Sequence, residues 1–260
     1  MKRILVPVDF SPRSANALEF AVAFGSLQEA EIDVLHVWHS DLATGVTVAK
    51  ERAKNALREF VTSLELRGDV TLRRRIDHGD PYMTIQRVAQ LAGHDLIVLA
   101  GPDAPRMNEE SVARSLFASA SSAVLLVPPN SKARLRSAED RRLALERVLV
   151  PLALAGDELQ ALDCAERLTR VGPMALEVLV SSDVSQQHRA RLHARSPLEH
   201  CDRHEEPVDV VTAVERRIQS SVFDLVVLSS KRAPIGGRPD DPRAERVALT
   251  QLCPCLCVPA

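Results

Sequence analysis

ILVPVDFS, residues 4–11, decides how the rest of the chain is read. The aliphatic and β-branched run before Pro7 is typical of a short strand buried on both faces. A helix should follow: Ser11 is a suitable N-cap, Pro12 fits the first helical position, and Leu18, Ala21, Val22 and Gly25 then share one face at helical spacing. The stretch is therefore a strand, a tight turn and the start of a helix, with an acid, Asp9, in the turn.

The same run returns as VLVPLALA at residues 148–155, where Ala153 stands in the place of Asp9. Other landmarks recur in the same order: HDLIVLAG (94–101) and FDLVVLSS (223–230), AVLLVPP (123–129) and CLCVPA (255–260), and HGDP (78–81) beside HEEP (204–207). Two copies of one unit are implied. The first landmark recurs 144 positions later but the DL pair, at 95 and 224, only 129 later, so the second copy is shorter in between. The expected division is a first domain at 1–129, a polar linker at 130–144, and a second, reduced domain at 145–260. The 260 residues also exceed the usual domain of about 100–150 residues.

Within the first copy, EIDVLHVW (31–38) reads as a strand and AKERAKNALREFVTSLEL (49–66) as an amphipathic helix. VTLRRRID, PYMTIQRVAQLA, DLIVLA, SVARSLFASA and AVLLVP continue the alternation. Strand and helix in turn imply a mainly parallel sheet of right-handed crossovers, with ligands outside the carboxyl ends of the strands.

The 33 basic and 35 acidic residues nearly balance, which argues against the basic footprint of a nucleic-acid-binding protein. The apolar start is broken by Pro7 and Asp9, too early for a signal peptide, and no stretch reaches the roughly 18 apolar residues of a membrane span. Five cysteines, odd in number and clustered late, do not form a secreted disulfide framework. A cytoplasmic setting is expected, with no membrane or nucleic-acid partner.

VPVDFS after the initial strand, HGDP before the third helix, and DLIVLAG followed by SVA and AVLLVP together resemble the universal stress protein family over nearly the whole chain. The resemblance implies a UspA-like tandem form: two flavodoxin-like (adenine nucleotide alpha hydrolase-like) α/β domains, each a five-stranded sheet flanked by helices. It also implies an internal pseudo-dimer with the last strands facing each other, and a possible homodimer. The family's nucleotide-binding branch has a glycine-rich loop whose backbone amides approach a triphosphate, at positions where a Cβ would intrude. On that pattern the pocket of the first domain falls on Pro7, Val8, Asp9, Val37, Gly101, Ala104, Ser111 and Val112.

Only Gly101 of those glycines is kept. Ala104 replaces the second, and Glu110-Ser111, or by strict spacing Arg114-Ser115, stands where glycine-serine belongs. Glu110 would set a carboxylate against the phosphates. NEES (108–111) also reads as an ordinary helix start with Asn108 as N-cap, and Asp9 either as an adenosine-side acid or as a cap for local amides.

In the second copy Ala153 replaces the acid, Ser230 stands at the place of Gly101, and Asp240 and Asp241 precede the last helix. The basic turn SSKRAPIGGRP (229–239) reads as a solvated loop. Cys253, Cys255 and Cys257 alternate along the last strand and read as apolar packing rather than metal ligands, while His200 and His204 share one face but alone supply too few ligands and read as structural. His78 and Asp80 flank Gly79 near the pocket, but no nucleophile elbow or nucleophile with an evident base is present. The expectation is a non-enzymatic stress-response binding or adaptor protein with no cofactor and an unidentified protein partner. The alternative is an ATP- or AMP-binding sensor using the first domain, with weak ATPase activity.

Overall fold

A computed structural model describes residues 1–38, 45–66, 68–101, 112–137, 140, 142–152, 158–170, 172, 174–182, 201–230, 243–250 and 252–259. The chain forms two compact units, residues 1–116 with 120–144, and residues 145–260 with the short stretch 117–119.

The first unit runs β1 (Arg3–Pro7), α1 (Pro12–Gly25), β2 (Glu31–Trp38), α2 (Val46–Ser63), β3 (Thr71–His78), α3 (Pro81–Ala92), β4 (Leu96–Ala100), α4 (Val112–Ser119) and β5 (Ala123–Val127). Its strands lie in the order β3-β2-β1-β4-β5, with parallel pairing. The second unit runs β6 (Arg147–Leu152), α5 (Glu158–Thr169), β7 (Ala175–Ser181), β8 (Asp202–Glu206), α6 (Val210–Ser220), β9 (Leu225–Ser230), α7 (Arg243–Leu249) and β10 (Cys255–Pro259). Its order, β8-β7-β6-β9-β10, repeats that of the first, again parallel. The connection from β7 to β8 (182–201) is shorter than that from β2 to β3 (39–70), which places the contraction of the second copy there.

The opening stretch folds as its composition requires. Ile4, Leu5 and Val6 are fully buried, as are Val148, Leu149 and Val150 in β6. Ser11 caps α1 by accepting from the Ser14 amide at 3.2 Å, Pro12 occupies its first turn, and Leu18, Ala21, Val22 and Gly25 are buried. The helix expected at 49–66 spans 46–63 instead, beginning after Gly45, whose φ of 73° suits glycine.

The duplication extends to the hydrogen bonds. Asp95 Oδ2 accepts from the amides of Lys2 (2.7 Å) and Arg3 (3.0 Å), and Asp224 Oδ2 from those of Glu146 (2.8 Å) and Arg147 (3.0 Å). Each acid thus ties the start of its central strand to the next strand over. The pairing of HGDP with HEEP is corrected. Asp80 caps α3 through the Met83 amide, and its equivalent is Asp209, which caps α6 through the amides of Val211 and Thr212. HEEP lies three residues too early, inside and just after β8, because its acids belong to the strand rather than to the cap.

Residues 130–144 contain a small hairpin. Leu135 bridges Leu143 in antiparallel fashion, and the Ala144 amide donates to Arg134 O at 2.7 Å. The Leu143 amide donates to Ala23 O in α1 at 3.0 Å, and its side chain is buried. At the hairpin tip Asp140 accepts two hydrogen bonds from the Arg142 guanidinium (2.8 Å each), and these hold its carboxyl down at about 2.

Candidate functional site

Pro7 shapes the crevice. β1 pairs with β2 over all five of its residues but with β4 only at Ile4 and Leu5. Proline has no N–H to extend a ladder, so β1 and β4 part beyond Leu5, at the point where strand order reverses. β6 behaves alike, pairing six residues to β7 and only Val148 and Leu149 to β9.

At the mouth of the first crevice the Val8 amide donates to Leu35 O (2.8 Å), and His36 Nδ1 lies 2.9 Å from Val8 O. That second contact fixes the ring as an Nδ1–H donor. The His36 ring is stacked on Phe10, with centroids 4.1 Å apart, and Phe60 of α2 lies 5.4 Å from Phe10. Phe10 has φ of 65°, a conformation that costs a bulky residue about 1–2 kcal/mol, and this aromatic packing offsets it. The strained turn turns the chain from strand into helix with Asp9 at its apex.

Asp9 Oδ1 accepts from the Ser11 amide (3.0 Å) and hydroxyl (2.6 Å). Burial pushes its carboxyl up, but the hydrogen bonds from Ser11 and Ser14 outweigh this and hold it below the usual carboxylate range. Because the folded value is depressed, the contribution to stability is present above the ordinary carboxylate range and is lost as pH falls through the depressed value. Ser11→Ala is expected to raise the Asp9 titration midpoint, measured from carboxyl chemical shifts; an unmoved midpoint would discard this account.

Gly101 follows β4 and is buried against the exit of β5. Its amide donates to Val127 O at 2.7 Å, and a Cβ there would lie 3.2 Å from that oxygen and 3.5 Å from Pro128 Cα. A side chain there would require the exit of β5 to give by a few tenths of an ångström, so glycine suits this close approach, and its N–H is already committed. Pro7, Val8, Asp9, Val37 and Gly101 are brought to the carboxyl ends of β1, β2 and β4, and Val112 begins α4. Ala104, Ser111 and NEES lie outside the described residues, as do Ala153, Asp240, Asp241, His200 and most of the basic turn. Asp80 serves as the α3 cap, while the His78 ring lies against Trp38 at 4.7 Å.

The sequence reading missed the acids inside β2 and β7. Asp33 is buried, with its Oδ2 3.1 Å from His94 Nε2 and 3.4 Å from an Arg75 nitrogen. Glu177 occupies the same register position in β7. It is held by Arg217 through Nε and Nη2 (2.8 Å for the latter) and by Arg147 (3.2 Å), with His204 Nε2 at 3.8 Å. Phe223 stands where His94 stands in the first unit, and both arginines lie over its ring, at 4.8 and 5.8 Å. A lone acid inside an apolar strand run, EIDVLHVW or ALEVLVS, was the available signal. These sites lie toward the amino ends of the strands, away from the crevice.

Cys253, Cys255 and Cys257 are buried; desolvation raises all three thiols, Cys257 to about 12. They are therefore neutral packing groups rather than thiolates. No group of three or more His, Cys, Asp or Glu able to hold a metal occurs among the described residues. No helix among them is long and apolar enough to cross a membrane.

The strand order with its crevice at the reversal point defines each unit as a flavodoxin-like α/β domain. Residues 1–128 match the model of the universal stress protein family, and this half of the chain belongs to that family. Over the whole length, the chain is similar in fold to a universal stress protein from Archaeoglobus fulgidus DSM 4304. The TM-score is 0.71 and the identity 17%, covering 99% of this chain and 96% of that one. It is also similar to a putative universal stress protein from Pseudomonas aeruginosa UCBPP-PA14, with a TM-score of 0.61 and 16% identity over 100% and 93% of the two chains. A functionally unknown protein from Pseudomonas aeruginosa PAO1 gives 0.59 and 16%, over 100% and 92%. No curated protein matches the chain in sequence.

Proposed function

We propose that this universal stress protein is a non-enzymatic, cytoplasmic stress-response protein that binds or adapts another protein and whose affinity for ATP is lost or weakened. The carrying observation is the Gly101 amide. In a triphosphate cradle it would face the ligand, but here it donates to Val127 O at 2.7 Å. The loop composition, with Ala104 and Glu110 at positions that favour glycine, supports the same reading. Among the described residues, the Gly101 amide is therefore not free to serve as a phosphate donor.

Asp9, held ionised at the crevice mouth, favours a second reading in which the first unit binds a nucleotide through its adenosine half. Titration calorimetry of the apo protein with magnesium and ATP separates the two. The expected result is no saturable heat with Kd tighter than about 1 mM. Micromolar binding abolished by Asp9→Ala would establish the sensor instead, and ATP turnover lost on the same substitution would make it an enzyme.

A further inference from the structure

β3 ends the strand order of the first unit and β8 that of the second, and among the described residues each has a sheet neighbour on one side only. An edge strand leaves a row of backbone N–H and C=O groups open to another strand. β3 carries Arg73, Arg74 and Arg75 against one acid, Asp77, and β8 carries Asp202, Glu205 and Glu206 against one arginine, Arg203. These two edge strands have opposite charge.

The sidedness agrees as well. Arg73 and Arg75 share the face of Glu31 and Asp33, their partners in β2. His204 faces Glu177, which has the register position of Asp33, so Asp202 and Glu206 lie on the matching face of β8. Arg74 and Glu205 lie on the other face of their strands, and both are exposed. Strands joined edge to edge with these faces continuous run antiparallel, and setting Arg74 against Glu205 on one side then places Arg73 against Glu206 and Arg75 against His204 on the other, with Asp77 and Asp202 the one opposed pair of like charge.

We propose that β3 of one chain pairs with β8 of a second copy, giving head-to-tail self-association. Pairing β3 with β3, or β8 with β8, is disfavoured because like charges would lie opposite each other. A contact between two different surfaces grows into a ring or an open chain instead of stopping at a two-fold dimer. Salt weakens it, because the charges are exposed.

Sedimentation velocity of the full chain at about 10 mM and about 1 M salt, where screening lengths are about 30 Å and about 3 Å, tests this. At low salt the mass should rise with concentration above the 28.5 kDa of one chain, and at high salt it should return to that value. Arg74→Glu or Glu205→Arg alone should raise the concentration needed for half-assembly about tenfold, equivalent to about 1.4 kcal/mol. An equimolar mixture of the two variants, or both changes in one chain, should restore assembly. A single-chain mass at every concentration, an assembly that neither variant shifts, or a mixture that fails to restore it would each overturn the proposal.

Discussion

Arg217→Met is expected to destabilise the second unit by about 3–5 kcal/mol. Glu177 is only 4% exposed in its side chain, and Arg217, itself 18% exposed, supplies two of its hydrogen bonds. Removing the guanidinium leaves a buried carboxylate with Arg147 as its remaining close cation, and the cost is mostly that of the stranded charge. Glu177→Leu combined with Arg217→Met should recover most of the loss, since two apolar groups need no solvation. Urea denaturation of the parent, the single and the double variant measures this. A single variant as stable as the parent, or a double variant no better than the single, contradicts the account.

In the first unit, His94→Phe installs the residue that stands at the equivalent place, Phe223, and is expected to cost about 1–3 kcal/mol. Asp33 would lose its one buried partner and keep Arg75, whose side chain is 44% exposed. Position 88 is the counterpart of Arg217, because the caps Asp80 and Asp209 and the strand-start acids Asp95 and Asp224 fix the same offset in both helices. Adding Val88→Arg to His94→Phe should therefore return part of the stability, by transplanting the arrangement of the second unit. If the added arginine lowers stability further, the two buried acids are not equivalent after all. The comparison tests whether duplication conserved an interaction or only a chain path.

The fold was legible because β1 and β6 are buried on both faces and so must be apolar throughout, while Ser11-Pro12 and Asp80-Pro81 mark helix starts with local chemistry. The repeat was legible for the same reason at every landmark except HEEP, where acidic residues in an edge strand imitate a cap. Pocket positions could be assigned to strand ends, but not the use made of their atoms. That Gly101 packs against Val127 depends on how closely two chain segments approach, whereas the Asp9–Ser11 contact is local and is one of the two readings of Asp9. Asp33 and Glu177 escaped notice because their partners lie 61 residues away at His94 and 40 away at Arg217, beyond any local pattern.

The hairpin after β5 bears on how the first unit is to be isolated. Its Leu143 amide seals onto Ala23 O of α1, and the Leu143 side chain is buried. A fragment ended at residue 129, where the recognisable repeat stops, would strip that seal from α1; one carried through Ala144 keeps its own lid.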